Sequence, residues 1–213
     1  KLGGELNAFT TKEGTVVHAT SLRGDLSRAM ELIADVVFRS VYPEREMDKE
    51  REVILDEINS YKDSPPERIY DEFEDILFGG SALGHNILGI TRSVKRITRD
   101  DVASFTARCY NTDRMVLSVA ADITDRAFMA LARKYFGDIS VNHRGFTRQK
   151  PEAATPFKNE VSRHTHQSHC ILGVRAYSSM DPGRIPLALL MNMLGGPAAN
   201  SMLNSLLREK NGL

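Results

Sequence analysis

Between Pro43 and the tripeptide Ser64-Pro65-Pro66 lies a stretch, about Glu44 to Lys62, that reads as one uninterrupted helix. It is dense in charge, yet Met47, Ile54, Ile58 and Tyr61 recur at three-and-four spacing, the stripe by which an amphipathic helix meets a core. Glu50 and Glu57 fall on that same stripe. Seven residues at 3.6 per turn is nearly two turns, so both carboxylates leave one face in one direction. A carboxylate among apolar side chains is strongly unfavourable unless it is paired, hydrogen-bonded or bound to a cation. The pattern therefore predicts two buried acids that need a partner. A metal or a catalytic role is one way to supply it. Ion pairs with neighbouring arginines such as Arg51 or Arg68 are the other.

The rest of the chain is consistent with a layered α+β fold. Residues 5 to 22 predict a β-hairpin with its turn at Lys12-Glu-Gly14, followed by a helix carrying Leu26, Ala29, Met30, Ile33, Val36 and Val37, with Asp25 placed to cap it. Ser64-Pro-Pro-Glu67 and Thr98-Arg-Asp-Asp101 are both written as capping boxes. Met115 to Ala121 and Ser168 to Tyr177 predict strands. Asp125 to Phe136, Pro182 to Leu194 and Ala198 to Lys210 predict helices, the first closed by Gly137. The pattern dissolves between Asp138 and Asn159. Alternating strands and helices point to a mixed sheet of about six strands covered by helices. The organisation expected is a first subdomain over residues 1–140, a linker over 141–160 and the start of a second, related subdomain over 161–213.

Composition excludes several roles. The 28 basic side chains are matched by 28 acidic ones, without the excess that a phosphate-backbone binder carries, so no nucleic-acid partner is expected. The longest apolar runs, such as Ile185 to Leu194, are far short of the roughly 20 residues that span a bilayer. Cys109 and Cys170 are too few for a disulfide framework or a cysteine zinc site. His18 and His85 read as a strand and a turn residue. His164, His166 and His169 form the one histidine cluster, and no nearby acid or cysteine completes a recognisable zinc-ligand set with them. Phosphate-binding loops, a nucleophile elbow and a dinucleotide fingerprint are all missing.

Gly3-Gly-Glu-Leu-Asn-Ala-Phe-Thr10 and Glu50-Arg-Glu-Val-Ile-Leu-Asp-Glu57, taken together, resemble the pitrilysin or insulinase family of zinc metallopeptidases, the inverted zincins. The resemblance extends through Leu83-Gly-His-Asn-Ile-Leu-Gly89, Ile97-Thr-Arg-Asp-Asp101, Tyr110-Asn-Thr-Asp-Arg-Met115, Leu194-Gly-Gly-Pro197 and Leu207-Arg-Glu-Lys-Asn-Gly-Leu213, and so covers essentially the whole chain. It implies a mitochondrial-processing-peptidase-like fold and a Zn2+ cofactor. It makes Glu57 the third zinc ligand and Glu50 the acid that orients a ligand histidine, a role that fixes tautomer and basicity. Asn7, Ala8 and Phe9 fall on the family's edge strand, which receives a peptide substrate by β-augmentation.

The family's His-x-x-Glu-His helix, with two zinc ligands and the general-base glutamate, lies farther upstream of its ligand glutamate than the whole stretch from Lys1 to Glu57. The sequence is thus expected to be most of the metal-bearing half of a bacterial-type zinc endopeptidase, truncated at both ends and inactive by itself. Its partners would be a peptide substrate and a second, catalytically silent family domain, in the same chain or in a partner subunit, with a dimer possible. The rival expectation is a non-catalytic homologue that keeps the fold as a peptide-binding or assembly subunit.

Overall fold

The computed structural model describes residues 3–152 and 155–212. They divide into two units, Lys1–Ile171 and Leu172–Leu213. The first begins with an antiparallel hairpin, β1 (Glu5–Thr10) and β2 (Thr15–Thr20), in the register Asn7 opposite His18 and Phe9 opposite Val16. The Thr11 amide donates to the Gly14 carbonyl at 2.8 Å and closes the turn. Helices follow: α1 (Leu26–Phe38), α2 (Glu44–Lys62), α3 (Pro65–Leu77), the short α4 (Thr91–Val94), α5 (Arg99–Cys109) and α6 (Asp125–Phe136).

Local chemistry sets the helix ends. Pro43, with extended backbone, opens α2, and prolines occupy the first turn of α3, where their missing N–H groups cost nothing. At α5 the capping box forms in full. The Thr98 hydroxyl accepts from the Asp101 amide at 3.2 Å, and the Asp101 carboxylate accepts from the Thr98 amide at 2.9 Å. Ser64 and Asp25 precede their helices without making a side-chain cap bond.

Packing follows two seams. α1 lies against β2 and α6, burying Met30 and Ala34, with Phe38 edge-on to Phe136 and the Ser27 and Tyr135 hydroxyls 2.7 Å apart. α2 lies against α3 and α4, and these three helices contribute the buried Ile58, Leu77 and Val94. The second unit carries α7 (Arg184–Gly195) and a π-helical segment, Asn204–Lys210. Its apolar side chains Ile185, Leu189, Met193, Met202 and Leu206 are exposed.

The expected mixed sheet of about six strands is not what forms. Among the described residues the hairpin is the whole of the β-structure, and helix dominates. Residues 115–121 enter with extended backbone at Met115, but no ladder is made and Val116 is 89% exposed. Residues 168–177 behave alike, with Leu172 and Val174 open to solvent. Apolar and β-branched runs report a local preference, whereas a strand exists only through a hydrogen-bonded neighbour.

Residues 141–152 and 155–160 have no regular structure, yet they are tied down. The Asn142 amide donates to the Thr112 hydroxyl at 2.8 Å, and Arg148 pairs with Glu13 at 3.0 Å and donates to its carbonyl at 2.7 Å. Phe157 meets the Phe73 ring at 5.7 Å between centroids. Just beyond, Arg163 reaches Glu72 on α3 at 2.5 Å.

Candidate functional site

α2 presents Glu50 and Glu57 along one line of its surface, roughly 10 Å apart at 1.5 Å per residue. Both are exposed, not buried as the stripe predicted. The physical reason is angular. Relative to Glu50, Ile58 sits roughly 80° round the helix and Ile54 roughly 40°, so the acids border the apolar stripe on its solvent side.

The arginine partners are also spoken for. Arg51 pairs with Asp48 and donates to the Ile97 carbonyl at 3.0 Å, and Arg68 pairs with Glu72 at 2.7 Å. Among the described residues neither Glu50 nor Glu57 has a hydrogen-bond or ion-pair partner. The expected ion pairs of these acids with Arg51 or Arg68 are not formed.

Glu57 opens onto a shallow depression of about 470 Å³, lined also by Val53, Asp56, Ser60, Tyr61, Glu67 and Leu88. Tyr61 is one turn beyond Glu57 and was not singled out from the sequence as a site residue. Its phenol donates to the Glu67 carbonyl at 2.8 Å, closing α2 against the first turn of α3. Burial pushes that phenol well above the ordinary tyrosine range, and the Asp71 carboxylate, then Glu67 and Glu74, push it further the same way. Tyr61 therefore stays a neutral donor. The i, i+4 spacing from Glu57 was the available signal.

On the hairpin, the Thr11 to Gly14 bond fixes which β1 residues face β2. Alternation makes Asn7 and Phe9 hydrogen-bonded partners of His18 and Val16, and turns the backbone groups of Leu6, Ala8 and Thr10 to the outer edge. No strand pairs with that edge among the described residues. The Ala8 amide is held instead by the Asn7 side-chain oxygen at 2.8 Å. Phe9 is 51% exposed and tilts against the His18 ring. The expected hairpin is formed, its outer β1 edge is unpaired among the described residues, and His18, opposite Asn7 in the register, is a strand residue.

The fit of the chain to a zinc ion can be judged on its donors. The Glu57 carboxylate has the oxygen donors that a zinc ion accepts, and no hydrogen bond or ion pair among the described residues claims them. Among the described residues no three His, Cys, Asp or Glu side chains gather as a metal site. His164 and His166 are exposed and join no such group. The described residues therefore do not assemble a metal site by themselves.

Residues 1–91 match the profile of the insulinase (peptidase family M16) domain, and residues 96–213 match that of the peptidase M16 inactive domain. The chain belongs to peptidase family M16. Among its M16 relatives, an uncharacterized zinc protease of Bacillus subtilis, YmxG, is 32% identical over all of this chain and 51% of its own length. Another, from Mycobacterium leprae, is 36% identical over all of this chain and 48% of its own. The mouse mitochondrial-processing peptidase subunit beta is 35% identical over 91% of this chain and 40% of its own. The chain thus spans about half the length of the curated relatives it matches. In three dimensions it is similar to the crystal structure of a peptidase M16 inactive domain from Pseudomonas fluorescens, with a TM-score of 0.81 at 19% identity, covering all of this chain and 52% of that one. A protease from Helicobacter pylori gives 0.79 at 21% identity with the same coverage. These two likenesses speak to the fold of an M16 chain.

No helix among the described residues is long and apolar enough to cross a membrane.

Proposed function

We propose that this chain is part of a zinc-dependent M16 endopeptidase in which Glu57 supplies one metal ligand and β1 receives the substrate. The observation that carries the reading is Glu57 itself, an exposed carboxylate with no partner, on a helix face it shares with a second unpartnered acid two turns earlier. With no partner taken, both carboxylates keep their oxygens free to accept, Glu57 from a metal and Glu50 from an imidazole N–H.

Glu57 offers its carboxylate oxygens to the metal. Glu50 accepts a hydrogen bond from an imidazole brought by residues outside the described chain and holds that ring in one tautomer. The outward backbone groups of Leu6, Ala8 and Thr10 pair with an extended peptide once Asn7 releases the Ala8 amide, and Phe9 covers the added strand. Asn7 thereby trades an internal hydrogen bond for one to substrate. When bound, the zinc ion supplies Lewis-acid polarisation of the scissile carbonyl and an activated water. The division into a metal-bearing subdomain, 1–140, a linker, 141–160, and a further subdomain from 161 belongs to the same proposal.

The test uses the full-length protein that carries this sequence. It is expected to contain zinc, to cleave an unstructured peptide and to lose activity with a chelator, and Glu57→Gln is expected to lose both metal and activity while remaining folded. A full-length protein without zinc or peptidase activity overturns the enzyme reading and leaves a peptide-binding or assembly subunit.

A further inference from the structure

The tip of the hairpin is anchored in a way the metal site does not explain. Lys12, in the turn between β1 and β2, reaches α3 and the loop that follows it. Its ammonium lies 3.2 Å from Glu74 and 3.6 Å from Asp71, and donates to the His85 carbonyl at 2.5 Å. The three side chains are only 20%, 39% and 23% exposed, in the order Lys12, Glu74, Asp71. Asp71 is fixed in turn by the Asn86 amide at 2.5 Å. The next turn residue, Glu13, is gripped by Arg148 through both its carboxylate and its carbonyl. A surface hairpin turn has no need of such bonds, since Thr11 and Gly14 already close it.

The anchor falls on one physical path. α2, which carries Glu57, is tied to α3 by Tyr61. α3 holds Lys12 through Asp71 and Glu74, and Lys12 is two residues beyond the end of β1. A two-stranded ribbon is marginal by itself and pivots on its attachments. The hairpin therefore has two attachments, β2 on α1 and the tip on α3, and the second runs through Lys12 toward the helix pair that carries Glu57.

We infer that Lys12 is a positioning residue for the substrate-receiving strand, locking the hairpin tip to α3 so that a peptide added to β1 lies in register with Glu57. This rests on the reading of β1 and Glu57 given above. Lys12 is one cation facing two carboxylates three residues apart on α3. Removing its charge leaves Asp71 and Glu74 repelling each other across the gap and releases the tip. Lysine is suited to the task because one ammonium has three donors, and here it serves two carboxylates and one carbonyl.

The experiment compares Lys12→Met and Lys12→Arg with wild type in the full-length protein. A fluorescein-labelled unstructured casein peptide is the probe, bound in the presence of chelator and cleaved in its absence. Lys12→Met is expected to weaken peptide binding roughly five- to tenfold, as loss of a partly buried ion pair with a carbonyl bond would. It is also expected to scatter the cleavage positions along the peptide, with zinc content unchanged. Lys12→Arg, which keeps the charge, is expected to restore a single cleavage position. Binding and cleavage positions identical to wild type in Lys12→Met overturn the inference. Amide hydrogen exchange across residues 5–20 separates this from failure of the functional reading. Faster exchange in Lys12→Met alone, in a protein with no peptidase activity, keeps the anchor but refutes its role in substrate positioning. Unchanged exchange refutes the anchor itself.

Discussion

Adjacent residues of α2 should separate stability from function. Ile58 is 5% exposed, whereas Glu57 is exposed and has no partner among the described residues. Cutting Ile58 to alanine removes three carbons, each worth roughly 0.8 kcal/mol of transfer free energy, or about 2.4 kcal/mol together. The cavity left beneath a helix packed on two sides raises the expected loss toward about 4 kcal/mol. Glu57→Gln changes neither volume nor any contact, so its effect on unfolding should stay within about 0.5 kcal/mol. The assay is urea unfolding followed by far-ultraviolet ellipticity, because the chain has no tryptophan to report by fluorescence. Ile58→Ala should move the midpoint strongly downward while Glu57→Gln leaves it in place. A loss of more than about 1 kcal/mol in Glu57→Gln would refute the reasoning, because it would show that the carboxylate supports the fold. A neutral Ile58→Ala would refute the assignment of the buried face.

Two further outcomes follow from charge. The Thr98 amide and hydroxyl hold the Asp101 carboxyl below the usual aspartate range, so the cap contributes stability above the ordinary aspartate pKa and loses it as pH falls through the depressed value. The gap in urea midpoint between wild type and Asp101→Asn should therefore be full near neutral pH and close in acid, and a gap that persists in strong acid would count against it. Burial pushes the Glu72 carboxyl up, but hydrogen bonds and charge from Arg68 and Arg163 outweigh it and hold the group below the usual glutamate range. In a carboxyl carbon NMR titration Glu72 should therefore ionise at unusually low pH, and Arg163→Ala should move it back upward; no movement would mean that Arg163 does not hold residues 161–163 to α3.

Much of the helical structure was legible because its signals are local. The bounds of α2 were written by Pro43 and Ser64-Pro65, the start of α5 by a box that forms as spelled, and the end of α6 by Gly137. The strands expected at 115–121 and 168–177 were not legible, because pairing is a property of two segments and the sequence pattern describes one. The same limit applied to the site. Spacing alone put Glu50 and Glu57 on one face, and that is so, but a wheel cannot say whether a residue at the margin of an apolar stripe turns inward, and here both turn outward. Lys12 was invisible as more than a turn residue because its partners, Asp71, Glu74 and the His85 carbonyl, lie some sixty to seventy positions away along the chain.

The outer edge of β1 has a further consequence for handling the molecule. A row of outward amide and carbonyl groups is a template for any extended chain, and a second copy of this one qualifies. Sheet edges are commonly blunted by lysine, proline or a bulge. β1 has none of these, only Glu5 at its start and the exposed Leu6 and Phe9 beyond it. Refolding at high concentration should therefore favour edge-to-edge association through this hairpin, and dilution or an extended peptide added during refolding should suppress it.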